Sequence, residues 1–428
     1  MLPMKSIASV LSIIALGFGL VACPGGDGGG GGGTTGSTGF VYTANSGPAS
    51  NTISMFRVTP VTGVLGSAGT PVAAGIQPQQ VVLDRTGQFA FVANAGGADL
   101  SSYVISLDGS LSSLGVATTV GSTPRPPTID PLHRYLFVPS SGSNNLWVFT
   151  VNASSGALTL VGPFNTGNGP QAASLDSQGR FVWVNNVTAG TVSMFFIGSG
   201  GVLTPAAGNP LPTGASPQRV TFRTLGLKLF AFVANAGIGT VSVFEVNQTT
   251  GGVIVSPLGS PFAAGTTPST VVVDPSGQFA LVANSGSDNV SVYTINPATG
   301  ALTIVLNPDP LTPNFFPAGT TPQAVTVHPS GNFVYVANAV SNDITAYTLN
   351  QTTGVLAQVA GSPFATGGVN PQRVTIDSAG KFAFVSNKNS DTIAVYSINQ
   401  TTGVLTSVTG SPFPTGAAPE QATTAGLF

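Results

Sequence analysis

Charge is the first thing this sequence lacks. Asp, Glu, Lys and Arg make only 6% of its 428 residues, against about 25% in an average soluble protein. A helical bundle needs such residues on its exposed faces, so a bundle is disfavoured. Basic and acidic residues nearly balance, 12 against 14, with no basic run to neutralise phosphates, which argues against nucleic-acid partners. One cysteine and two histidines exclude a disulfide scaffold and a Cys/His zinc site, and no cofactor is indicated. What is abundant is glycine, 56 residues, and proline, 33, beside a 42% hydrophobic fraction that is ample for a core.

Residues 1–22 read as an export signal: Lys5 in a short charged region, then a mostly apolar run from Ile7 to Ala22. That run is short for a membrane span. It ends in Leu20-Val21-Ala22-Cys23, which resembles the bacterial lipobox. The resemblance implies cleavage before Cys23, a diacylglyceryl thioether on its sulfur and acylation of the new amino group, together a stable anchor. Pro24 in place of Asp implies, by likeness to lipoproteins of the enteric type, the outer membrane, with a periplasmic or cell-surface orientation. Residues 23–39 hold the lipidated Cys23 and a Gly-rich tether with few side chains to pack.

Residues 40–428 are one unit written eight times. Segments of type F-x-F-V-A-N begin at Phe40, Phe89, Tyr135, Phe181, Phe230, Phe279, Phe333 and Phe382, at spacings of 46 to 54. Each unit carries four strand signals. The first is FxFVA. The second alternates, as in Thr240-Val241-Ser242-Val243-Phe244-Glu245-Val246. The third follows a turn such as NQTTG (350–354), and the fourth reads like Pro371-Gln372-Arg373-Val374-Thr375-Ile376-Asp377. A turn of type Asp274-Pro275-Ser276-Gly277 leads into the next unit. Four antiparallel strands per unit of this length predict an all-β fold, a β-propeller of four-stranded blades. The first unit starts at its second strand, while residues 419–428 align with the inner-strand segment 371–382. The C-terminal strand is therefore predicted to complete the first blade and close the ring.

Phe91-Val92-Ala93-Asn94, Phe232-Val233-Ala234-Asn235 and Tyr335-Val336-Ala337-Asn338, with the PQxVxxDPSG-type and GSPF segments, resemble the YVTN-repeat propellers that include the lactonase-like (6-phosphogluconolactonase-like) proteins. The resemblance covers about residues 40–428. It implies the propeller fold and offers lactone hydrolysis as an activity. Members are often seven-bladed, so seven stands as the alternative to the eight units counted. The chemistry associated with that branch draws on a His, Arg and Glu grouping in the channel. Here the only glutamates are Glu245 and Glu420, and His133 and His328 fall in turns, so no such set transfers position by position.

In a propeller the innermost strands line a central channel. Aligning the prolines that open them (Pro78, Pro124, Pro170, Pro217, Pro268, Pro322, Pro371, Pro419) gives two columns. The first reads Gln79, Arg125, Gln171, Gln218, Ser269, Gln323, Gln372, Glu420, and the second Gln80, Pro126, Ala172, Arg219, Thr270, Ala324, Arg373, Gln421. Together they predict a polar collar at one channel mouth. It could bind a carboxylate, phosphate or sugar, or its side chains could satisfy backbone groups at the strand starts. Positions that break the repeat's own pattern are the candidates: Arg125, Arg219, Arg373 and Glu420, joined by Gln323.

His328 stands in the column of Asp84, Asp130, Asp176, Asp274 and Asp377, and His133 in a glycine column. Turn capping rather than catalysis is the expected role of that column. One aspartate per blade cannot converge on a metal. The expectation favours a lipid-anchored, non-enzymatic scaffold of the cell envelope, binding an envelope protein, glycan or small anion at the collar. The alternative is a lactonase-type hydrolase.

Overall fold

The computed structural model describes residues 39–48, 50–84 and 86–426. They form eight antiparallel sheets, the blades of a β-propeller, with one 3-10 turn at Ser199–Gly201 as the only helical element among the described residues. The eight-blade expectation holds. Cys23 and the glycine run after it lie outside the described residues.

Blade 6 shows the plan. Pro268–Val273 is its inner strand, followed outward by Phe279–Asn284, Asn289–Ile295 and Leu302–Ile304, each antiparallel to the last. A two-residue segment, Phe316–Pro317, also pairs with the start of the third strand. Seven blades carry such a fifth piece, which the four strand signals per unit do not announce. In blade 3 the single bulged strand Leu158–Asn165 serves both purposes.

The FxFVAN strand alternates in sequence, yet all six of its residues are buried. The cause is its place: a strand in the middle of a blade has a neighbouring blade on each face. Its alternation is of size. Phe279, Leu281 and Ala283 enter the seam with blade 7, against Val334 and Val336. The smaller Ala280 and Val282 meet Phe230 and Phe232 of blade 5. Large residues pointing one way and small ones the other let identical wedges stack around a ring. The core is accordingly eight separate clusters, each shared by two adjacent blades.

Turn residues lock the seams. Gly354 has φ +77° and a Cβ there would fall 2.6 Å from the Phe279 ring of the preceding blade, so only glycine serves. Turn aspartates cap as expected: Asp274 Oδ1 accepts from the Phe279 amide at 2.8 Å, and Asp176 Oδ1 from the Phe181 amide at 2.9 Å. His328, buried in the same column, accepts at Nδ1 from the Ser330 amide at 3.1 Å. Its Nε2–H donates to the Gly380 carbonyl of blade 8 at 2.8 Å. A histidine held this way is a seam fastener.

Ring closure also follows the sequence. Phe40, Val41 and Tyr42 pair with Ala425, Thr424 and Thr423, and Asn45 bridges to Pro419. Hydroxyls stitch the inner strands together: Thr375 Oγ1 donates to the Ala422 carbonyl at 3.0 Å, and Thr423 Oγ1 to the Val81 carbonyl at 2.7 Å.

Candidate functional site

Six inner strands open at a proline, and those of blades 3 and 1 begin four residues after one that makes an isolated bridge; the residue before each proline is left-handed: Gln77, Thr123, Gly169, Ser216, Thr267, Thr321, Asn370 and Ala418. After the proline, the ladder to the second strand slips. In blades 2, 5 and 8 the pairing jumps from Pro78 to Val81, Pro217 to Val220 and Pro371 to Val374. In blades 4, 6 and 7 it resumes one residue earlier, at Ala172, Thr270 and Ala324. A bulge re-aims side chains away from the ladder. The three longer jumps release Gln80, Arg219 and Arg373, the large polar members of the second column in those blades. Gln421 is likewise unpaired, between the Asn45–Pro419 bridge and Thr423.

Two connected cavities occupy the channel. The one at the mouth, about 240 Å³, is walled by residues of both columns, Gln323, Gln372 and Glu420 of the first and Gln80, Arg373 and Gln421 of the second among them. The other, about 350 Å³, reaches further along the inner strands and is called the waist here, walled by Gln80, Arg219, Arg373 and Gln421 with Thr326 and Thr375. Gln80, Arg373 and Gln421 line both.

The first column is largely committed to the fold. Gln218 Nε2 donates to the Ser216 carbonyl at 2.9 Å, Gln79 to Gln77 at 3.3 Å, and Gln372 to Asn370 at 3.2 Å, each fastening the left-handed residue before the proline. Arg125 Nε donates to Ser141 Oγ at 3.1 Å and lines neither cavity. Glu420 Oε1 accepts from Lys388 Nζ at 2.8 Å and from Ser46 Oγ at 2.7 Å. Gln323 faces the mouth cavity without a side-chain hydrogen bond among the described residues.

The second column is different. Among the described residues, Arg219 and Arg373 make no ion pair and no side-chain hydrogen bond; the ion pairs are Arg134–Asp130, Arg180–Asp176, Lys228–Glu245 and Lys388–Glu420. Arg219 is exposed to the channel and Arg373 half-buried, but the blades enclose both. Burial lowers the pKa of each, and that of Arg373 falls to about 10, with the charge of Arg219 as the second cause. Guanidinium keeps its proton at neutral pH, so this depression is a standing demand for a counter-anion. Gln80 and Gln421 join the site although the sequence pattern did not single them out. A signal for them exists, since they too depart from the small residues of their column.

The sequence matches the model of a family described as lactonase, 7-bladed β-propeller, over residues 34–123, 89–170, 128–222, 228–311 and 305–418. Among solved structures, a candidate 6-phosphogluconolactonase from Bacteroides uniformis superposes with a TM-score of 0.62 at 19% identity, covering 91% of this chain and 99% of that one. Another candidate 6-phosphogluconolactonase, from Bacteroides fragilis, gives 0.63 at 17% identity, with 92% and 100% covered. The Pseudomonas aeruginosa periplasmic gluconolactonase gives 0.61 at 17%, also with 92% and 100% covered. At these identities the likeness is one of fold. A sequence search of curated proteins finds no match. The family match spans most of the repeats, and the chain belongs to the lactonase family of β-propellers, with eight blades where the family's description has seven.

Proposed function

We propose that the protein is a lactone hydrolase whose substrate carries an anionic group seated between Arg219 and Arg373. The observation that supports this most is the pair itself: two like charges share one cavity, and neither makes an ion pair among the described residues. Charge-assisted and bidentate contacts to such a group are among the strongest polar interactions available. The family match favours this activity over a non-enzymatic scaffold.

Glu420 is the one carboxylate among the residues walling the two cavities. Lys388 and Ser46 both hold its Oε1, which leaves Oε2 without a partner among the described residues. In this reading Oε2 takes a proton from water as the water oxygen attacks the lactone carbonyl carbon. The ring C–O bond then breaks, the ring oxygen takes that proton, and a hydroxy acid leaves. Arg373, which lines both cavities, stabilises the oxyanion. This arrangement is the chain's own and is not the His–Arg–Glu grouping of the family resemblance. Anchoring through Cys23 belongs to the same proposal, and would place the reaction at the outer membrane.

The test is hydrolysis of a panel of lactones by the full chain, including phosphorylated, carboxylated and neutral members. The anionic lactones are expected to turn over. In Arg219→Ala/Arg373→Ala, kcat/KM should fall by roughly 100-fold or more, since each hydrogen bond to a charged group is worth about 1.5–3 kcal/mol. An absence of turnover on every lactone sinks the hydrolase and leaves anion binding without chemistry, the scaffold-type reading.

A further inference from the structure

The two ends of the ring differ. Each second strand ends beside the proline that precedes its inner strand, as Asn284 pairs with Pro268, so the collar marks one end and the hairpin turns the other. Gly39 pairs with Val58 and Asn45 bridges to Pro419, so the first described strand starts at the turn end and runs to the mouth. The chain that precedes Gly39 therefore joins the propeller on the face opposite the collar.

That face departs from the repeat in one direction. Typical turns there are polar, such as Asp274-Pro275-Ser276-Gly277 and Asn350-Gln351-Thr352-Thr353. In blade 1, Val61 replaces a threonine of the second type, and in blade 3, Leu132 replaces the serine of the first. Leu107 and Leu227 stand in the corresponding turns of blades 2 and 5. Val61 is 84% exposed and Leu107 and Leu227 are each 93% exposed, so folding gains little from them. One such leucine alone needs no explanation. Four branched apolar tips on one face, beside cations, do.

Arg57 donates to the Asp108 carbonyl, next to Leu107, at 3.2 Å. Arg134 lies two residues after Leu132, and Lys228 follows Leu227 directly. In the ion pairs of this face the cation is always the outer member. Arg134 is 43% exposed over a buried Asp130, Arg180 27% over a buried Asp176, and Lys228 43% against 12% for Glu245. Asp84 is buried too, which leaves Asp108 as the exposed carboxylate among the described turn residues of blades 1 to 5.

We infer that the turn face of blades 1 to 5 docks on a bilayer surface containing anionic phospholipid, its apolar tips entering the headgroup layer and its outer cations meeting phosphates. Shallow burial of aliphatic side chains and attraction of cations to anionic lipid act together at such a surface. The sign of the outer charges and the place where the chain enters both select this occupant. Docked this way, the collar points away from the bilayer and the channel mouth stays open to water. The inference rests on the Cys23 anchor proposed above only for how the face arrives, and on neither the anion site nor the hydrolytic step.

The experiment is co-sedimentation with vesicles of phosphatidylcholine alone or mixed with phosphatidylglycerol. It uses residues 36–428 without lipid, since every core cluster and the closing strand pair lie within them and they fold without what precedes. The mixed vesicles should bind at least about ten-fold more tightly, at roughly five-fold for each cation that gains anionic lipid. Leu107→Ser/Leu227→Ser should weaken that binding by at least about ten-fold, with melting unchanged because both side chains already lie in water. Val340→Ser, at an exposed position of the mouth end, should alter it by less than about two-fold. Equal binding to both vesicles, or an affinity that survives the double substitution, overturns the inference. So does an absence of binding, and a dimer dispersed by the double substitution would then give the face to a second copy. Residues 36–428 hold no cysteine, so a polarity-sensitive dye on Thr62→Cys or Val340→Cys reports the orientation separately. Its emission should shift to the blue on mixed vesicles at position 62 and not at 340, and the reverse overturns the assignment. Lipid on Cys23 of the full chain, with no vesicle binding by residues 36–428, would keep the anchor and discard the docking face.

Discussion

Two neighbouring columns on the same inner strands make the most instructive comparison in this molecule. Both follow the same proline, both carry large polar side chains, and both lie at the same end of the channel. One residue of difference decides their fate. The first column folds back: Gln79, Gln218 and Gln372 fasten the left-handed residue that precedes the proline, and Arg125 is bound to Ser141. The second column is lifted from the ladder by the bulge in blades 2, 5 and 8, and its arginines are left without partners among the described residues. A repeated polar residue in a repeat protein is first a fastening, and what the bulges set free is what can bind.

The largest expected effect concerns the strand that both columns share with ring closure. Residues 419–428 supply Glu420 and Gln421 to the cavities and the closing strand to blade 1. Deleting them should abolish cooperative thermal unfolding and anion binding together, since blade 1 would expose an unpaired inner edge. A truncated chain that melts as wild type does would break the link between site and closure.

Next comes the arginine pair, whose stability effect should run opposite to its effect on binding. Arg373 has a folded pKa depressed to about 10, by burial first and by the Arg219 charge second. A cation depressed on folding destabilises at every pH below that value, and the penalty fades only as pH rises through it. At pH 7, Arg219→Ala should therefore leave the melting temperature unchanged or raise it by about 1 °C. The stabilisation that millimolar phosphate gives wild type should vanish in this variant. A variant that melts several degrees lower would show that Arg219 is a fastening like its neighbours, and the contrast between columns would collapse.

The smallest effect belongs to the first column. Gln372→Ala removes hydrogen bonds to the Asn370 backbone and side chain and should cost about 1 kcal/mol of stability. Anion affinity should stay within about two-fold of wild type. A large fall in affinity with unchanged melting would move the binding function to the mouth.

Much of this is legible in the residues. Eight FxFVAN segments, the NQTTG and DPSG turns and the C-terminal copy of PQRVTID yield blade number and closure correctly, because each is a local pattern with a local physical cause. The alternation of the FxFVAN strand is one of size and not of exposure, because the blades that bury its second face are dozens of residues away. The candidate site is half legible. Arg219 and Arg373 stand out because they break the repeat. Arg125 breaks it equally, yet it is absorbed by a hydroxyl 16 residues along. Glu420 proves to be tied to Lys388, on another blade.

The sequence by itself determined the unit, the count, the antiparallel order and the strand that closes the ring, since period-2 patterning and turn chemistry act within a few residues. Only the tertiary structure decided which polar side chains are free. That depends on a ladder slip after each proline and on partners brought from other blades, and neither has a signature within one repeat. Whether a charge is a fastening or stands unpaired was decided by what the ring placed beside it.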